Sequence, residues 1–215
     1  MNIIYIMKNI FFISILSLIS CNQSYYILPE VISLNGIDQY HKVENQQDIL
    51  RNKNSVTLSA WIYPKSITGQ DVIAISANDP EVPNTSRAGL RVEADGRLMV
   101  LARTVDKQKP KLYTFTKSPK ITQLNTWHHI AAVIDYSRNQ VIFYYNGKEV
   151  ERDQTPILFD PNKTPDSPSP LIAIGSEDDG KAPFFHGRIT KVLVKPTIYP
   201  ASAIHKLYLD KPKME

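Results

Sequence analysis

Trp127–Arg152 reads WHHIAAVIDYSRNQVIFYYNGKEVER, and the fold is legible from this stretch outward. Trp127–Asp135 (WHHIAAVID) and Gln140–Tyr145 (QVIFYY) are the most apolar runs downstream of the first twenty residues. Tyr136-Ser137-Arg138-Asn139 connects them, and Asn146-Gly147 supplies the positive φ of a two-residue hairpin into Lys148–Arg152. Runs that are apolar at successive positions bury both faces, which predicts central strands.

Strand signals continue on either side. Val56–Tyr63 (VTLSAWIY) alternates until Pro64, with Leu58, Ala60 and Ile62 on one face and Thr57, Ser59, Trp61 and Tyr63 on the other. Asp71–Ser76 follows, then Ala88–Glu93 and Arg97–Thr104 as a hairpin turned at Ala94-Asp95-Gly96. Lys111–Thr116 places Tyr113 and Phe115 on one face. Pro156 to Pro170 carries five prolines, which bars ladder and helix interior and predicts a surface loop. Leu171–Gly175 and His186–Lys195 return to strand character. Ala201–Leu209, with Ser202 as the expected N-cap, reads as a short helix. About ten to thirteen short strands without regular helix alternation predict an all-β fold, a two-sheet antiparallel sandwich or jelly roll.

Composition agrees. Among 215 residues, 42% are hydrophobic and 21% charged, which suits a folded domain large enough to need neither metal nor disulfide. The formal charge of +4 comes from scattered residues, and no basic run with interleaved aromatics forms a nucleic-acid stripe. Eight glycines and fifteen prolines leave the prolines to stop strands.

The N-terminus reads as a targeting segment. Ile10–Ile19 is an apolar run preceded by Lys8, too short for the roughly 20 residues of a spanning helix and suited to a secretory signal. Leu18-Ile19-Ser20-Cys21 resembles the lipobox of bacterial lipoproteins, and Cys21 is the single cysteine of the chain. The expectation is a cleaved signal helix over 1–20, with either Met1 or Met7 as start, and lipid attachment at Cys21. A linker and first strand over 21–33 and a folded domain over 34–210 would follow. Acyl chains contribute about 0.8 kcal/mol per buried CH₂ and would hold the protein on the bacterial envelope without a spanning helix. Asn22, where aspartate retains some lipoproteins in the inner membrane, favours the outer membrane of a diderm host.

From Leu34 to Tyr208 the order of motifs resembles the laminin-G-like, concanavalin A-like jelly-roll superfamily. Leu34–Tyr40 (LNGIDQY) is similar to its opening turn, Val56–Pro64 to its "sxWIxP" strand and Asn125–Ala131 to "xxWHHVA". Phe143–Lys148 is similar to "LYVNGK", Ile174-Gly175 with Phe185–Ile189 to the closing "IG…FxGxI" pair, and Ala203–Tyr208 to the tail helix. Trp127, heading a strand apolar on both sides, reads as a core anchor. His128 and His129 are strand neighbours that point to opposite faces, so they cannot clasp one ion and read as structural.

The resemblance implies several functions. Relatives hold calcium at the sandwich rim, and here Asp38 and the Glu177-Asp178-Asp179 run could supply oxygens. Asn35 and Thr190-Lys191 stand where acids are common, which removes negative charge from that rim. Endo-glucanases of the superfamily use a Glu-x-Asp-x-Glu strand. Glu93-Ala94-Asp95 is the nearest approach, and it runs into a turn with Arg97 in place of the second acid. No nucleophile elbow, zinc motif or phosphate loop is present, so no catalytic residue is assigned. The expected function is therefore non-catalytic recognition of a carbohydrate or an envelope or extracellular protein. Tyr113, Tyr144 and Phe184 are the candidate ligand-stacking residues, and an accessory subunit of an envelope complex is the alternative.

Overall fold

The computed structural model describes residues 26–44, 49–50, 53–79, 82–103, 113–120, 123–154, 171–177 and 180–213. The expected cleaved signal helix, Cys21, and the whole Pro156 to Pro170 segment lie outside the described residues. Among the described residues twelve strands and one helix form in chain order. They are β1 (Ile32–Asn35), β2 (His41–Glu44), β3 (Ser55–Pro64), β4 (Gln70–Asp79), β5 (Val82–Val92), β6 (Arg97–Arg103) and β7 (Tyr113–Lys120). β8 (His128–Asp135), β9 (Gln140–Tyr145), β10 (Lys148–Asp153), β11 (Leu171–Ile174), β12 (His186–Lys195) and α1 (Ala201–Leu209) complete the set.

The strands make two six-stranded antiparallel sheets, β1-β12-β3-β8-β9-β10 and β2-β11-β4-β5-β6-β7. Consecutive strands cross between the sheets at β1 to β2 and β3 to β4, as a jelly roll requires. Leu58, Ala60 and Ile62 of β3, Ile130 and Ile134 of β8 and Phe143 of β9 point inward against Ile73, Ile75, Leu90, Leu98, Val100 and Ile174 of the other sheet. Pro64 closes β3, and Pro119 lies in β7, the edge strand of its sheet, where a missing N–H breaks no ladder. β7 accordingly runs on to Lys120, beyond the Thr116 expected from alternation.

Turn chemistry sets the register. Asn146 (φ 48°) and Gly147 (φ 75°) make the β9–β10 turn, and Asn146 Oδ1 accepts the His129 N–H at 3.0 Å. Asp135 Oδ1 accepts the N–H of Ser137 and of Arg138, both at 3.1 Å, which folds the β8–β9 turn. Gly96 takes φ 80° between β5 and β6, where the Glu93 N–H donates to the Arg97 carbonyl at 2.8 Å.

From Thr57 to Trp61 the outer face of β3 is as buried as the inner one, and Tyr63, further along, is half-buried. Thr57, Ser59 and Trp61 are buried because α1 lies across them. Ile204 of α1, with Tyr199 and Leu207 beside it, packs on Ala131, Val133, Ile142 and Tyr144. Tyr208 stacks on Trp61 with ring centroids 5.8 Å apart. α1 spans the residues expected for it, but its N-cap is Pro200, without a side-chain cap; Ser202 lies inside the first turn and does not serve as the cap.

Candidate functional site

α1 leaves one end of that outer face uncovered. Register opposes Arg188 of β12 to Tyr63 of β3 on one side and to Ser33 of β1 on the other. Trp127, the residue preceding β8, meets Tyr63 edge-on with ring centroids 5.6 Å apart. The Arg188 guanidinium carbon lies 4.3 Å from the centre of the Tyr63 ring and 5.3 Å from that of Trp127. All three side chains are half-buried. Tight strand contact holds the group, since a Cβ on Gly187 would stand 2.1 Å from the Tyr63 carbonyl oxygen. Below it, the buried Gln70 accepts the His186 N–H at 3.0 Å and donates to the Ser66 carbonyl at 2.7 Å, tying the start of β12 to the β3–β4 loop. The result is an aromatic pair with a cation laid over it, with Tyr63 and Arg188 on paired strands and Trp127 at the entry to a third.

This reassigns Trp127, which is no core anchor: its ring faces outward with the Arg188 guanidinium beside it. The histidines do take opposite faces. His129 Nε2 lies 2.9 Å from Ser59 Oγ under α1, and burial holds its imidazole down to about 3, so it is neutral. His128 bridges the Gln123 carbonyl at 2.8 Å and the Tyr145 hydroxyl at 2.6 Å, its pKa likewise lowered by burial.

The other expected positions do not gather into one site. Tyr144 is 2% exposed, and its ring packs under α1, so the expectation of an exposed stacking face there is corrected. It instead helps floor a groove of 230 Å³ between β8–β10 and the approach to α1. In that groove Arg152 donates to both Glu149 oxygens, at 2.8 and 2.7 Å, and to Gln140 Oε1 at 2.9 Å, so its charges are already compensated. Phe184 is half-buried beside the fully buried Phe185, and the Tyr113 side chain lies outside the described residues. Asp38 accepts from Asn35 Nδ2 at 2.8 Å, while Asn35 Oδ1 takes the N–H groups of Ile37, Asp38 and Gln39, so both side chains hold the opening turn. Glu177 bridges to Lys181 through backbone, and Asp178 and Asp179 lie outside the described residues. Among the described residues no three His, Cys, Asp or Glu side chains come together where they could hold a metal ion.

A family model for the concanavalin A-like lectin/glucanases superfamily, of the laminin G type, matches residues 35–204. The chain belongs to this superfamily. Among solved structures it is similar to the CBM40 domain of a Ruminococcus gnavus IT-sialidase bound to α2,3-sialyllactose, at 12% identity and TM-score 0.62, over 83% of this chain and 98% of that one. A heptameric pentraxin from Limulus polyphemus is similar at 14% identity and TM-score 0.56, over 84% of this chain and 78% of that one. A Trypanosoma rangeli sialidase matches at 15% identity and TM-score 0.58, over 82% of this chain and only 26% of that one. At these identities the likeness is one of fold. No curated protein matches the chain.

The superfamily includes glucanases, and the carboxylates that came nearest to that pattern are occupied. Glu93 Oε1 lies 2.9 Å from Arg91 Nε, and Asp95 pairs with Arg97 at 3.3 Å. Asp71 is buried next to them. Burial raises its pKa to about 7 against the pull of Arg91 at 3.7 Å. Asp71 lines neither the 230 Å³ groove nor the open 440 Å³ hollow at the Ile32–His41 rim. Tyr63 and Arg188 were not among the sequence candidates. The one signal for them was parity: Tyr63 shares a face with Trp61, and Arg188 is a charge inside the His186–Lys195 strand run.

Proposed function

We propose that the protein is a non-catalytic carbohydrate-binding protein, held on a bacterial envelope by acylated Cys21, that grips its ligand on the Tyr63–Trp127–Arg188 surface. The observation carrying this reading is the half-exposed Trp127–Tyr63 pair beyond the edge of α1, with Arg188 over it. A sugar ring presents an apolar face to an aromatic ring and hydroxyls to surrounding donors and acceptors. Ser33 and His186 provide such groups in the flanking register. The superfamily membership, and a neighbour that is a carbohydrate-binding module seen with a bound oligosaccharide, support the same reading.

A glycan array probed with the detergent-extracted full-length protein tests it. Retention of defined glycans, lost in Trp127→Ala and kept in Tyr144→Phe, is the expected result. An array that stays dark, or one on which Trp127→Ala binds as the parent does, would reject the assignment. Metabolic labelling with a palmitate analogue, absent in Cys21→Ala, is the expected result for the anchor.

A further inference from the structure

Among the arginines whose side chains are described, Arg188 alone has no acidic partner. Arg91, Arg97, Arg138 and Arg152 each have a carboxylate oxygen at hand, at 2.9, 3.3, 3.7 and 2.7 Å respectively. Among the described residues no carboxylate pairs with Arg188, whose contacts are the two aromatic rings. The residues that register places around it are Ser33, Tyr63, Asn35 and His186, and Lys65 follows the end of β3. None of them is acidic.

A guanidinium lying on aromatic rings is shielded from water on one face while its N–H edges remain directed outward. Those edges form a planar fork that matches a carboxylate with two parallel hydrogen bonds, and the rings hold the fork still, so little rotamer freedom is lost on binding. We infer that the Tyr63–Trp127–Arg188 surface selects an acidic glycan: the carboxylate of a carboxylated sugar pairs with Arg188, and the sugar ring lies against Trp127. This inference rests on the carbohydrate-binding reading above and adds the ligand class.

The test measures the detergent-extracted full-length protein against uronate- and sialate-bearing oligosaccharides, each paired with its carboxyl-reduced counterpart, with neutral glucans and galactans and a sulfated galactan alongside. Binding of at least one acidic glycan, weakened about tenfold or more by carboxyl reduction, is expected. Arg188→Lys keeps the charge but not the fork and should lose about tenfold in affinity, while Arg188→Gln should lose binding altogether; unchanged melting temperatures would show that both variants fold. Equal binding of reduced and acidic forms, preference for the sulfated chain over every carboxylated one, or parental affinity in Arg188→Lys would overturn the acidic-sugar assignment and leave the carbohydrate reading standing. Retention of no glycan of any kind would overturn both.

Discussion

Trp61, inside β3, and Trp127, the residue that leads into the neighbouring β8, lie on the same outer face of one sheet and meet different fates. Trp61 is 3% exposed, stacked on Tyr208, edge-on to His129 at 5.5 Å, and donates to the Leu207 carbonyl at 3.4 Å. Trp127, at the mouth of β8, is half-buried against Tyr63 and Arg188. It meets β3 two residues beyond Trp61, past the reach of α1. Nine helical residues span only about 13 Å at 1.5 Å per residue, whereas six strands about 4.8 Å apart make a sheet roughly twice that wide. One helix can seal part of the face, and the sequence places Tyr208 and Ile204 over the part that holds Trp61. The unsealed remainder is where a recognition surface costs no core packing.

Emptying the sealed side is expected to have the largest effect. Trp61→Ala removes a fully packed ring and should cost about 3–5 kcal/mol in denaturant unfolding. If it cost under 1 kcal/mol, α1 would be an ornament and the contrast between the two tryptophans would collapse.

Acid should attack the same sealed region next. His129 is held neutral, its pKa down from 6.5 to about 3, so between those values the unfolded chain binds a proton that the folded one refuses. Its contribution is complete above about pH 6.5 and falls as pH drops towards 3, by an amount on the order of 4–5 kcal/mol. Asp71, raised to about 7, works in the opposite sense: the folded chain holds its proton longer, so its contribution declines as pH rises from about 4 to 7. The difference between the parent and His129→Gln, rather than either pH curve alone, therefore isolates the histidine. That difference should be steepest below pH 6.5. A flat one would mean that His129 is charged or wet in the folded state.

Gly147 ties the β9–β10 turn to the helical cover. Its φ is 75°, and a Cβ there would lie 2.8 Å from the Tyr208 ring. Gly147→Ala should therefore cost about 2 kcal/mol, through backbone strain and displacement of Tyr208, and should red-shift the fluorescence of Trp61. Stability loss without a spectral change would separate the turn from the cover.

The fold was legible because strand signals are local. Alternation in Val56–Tyr63, the Asn146-Gly147 pair and the apolar runs around them each specify a piece of ladder that register then joins, and the helix over Ala201–Leu209 stands where its pattern put it. What that helix covers was not legible, because a single strand's parity says that Trp61 and Tyr63 share a face and nothing about how far a distant element extends over it. Trp127 was read as core for the same reason: apolar neighbours signal burial wherever the cover happens to stop. Arg188 stands 125 positions after Tyr63 in the chain and meets it only through β12–β3 pairing, so no window of sequence brings the two together. Tyr144 failed in the other direction. Alternation set it apart from Phe143, as the structure has it, but the face it points to is the one α1 seals.

The smallest expected stability change belongs to the residue assigned the largest functional one. Trp127→Ala removes a half-solvated ring whose contacts are one edge-on tyrosine and one guanidinium, so its cost should be about 1 kcal/mol or less, well below that of Trp61→Ala. Arg188 would keep its closer contact, 4.3 Å to the Tyr63 ring, so the strand geometry has no reason to move. Equilibrium unfolding of the two alanine variants side by side, with glycan retention measured on the same samples, makes the contrast quantitative. A loss near 3 kcal/mol in Trp127→Ala would place this ring in the structural core after all. A loss below 1 kcal/mol with retention abolished is what a surface built for recognition, on a sheet stabilised elsewhere, should show.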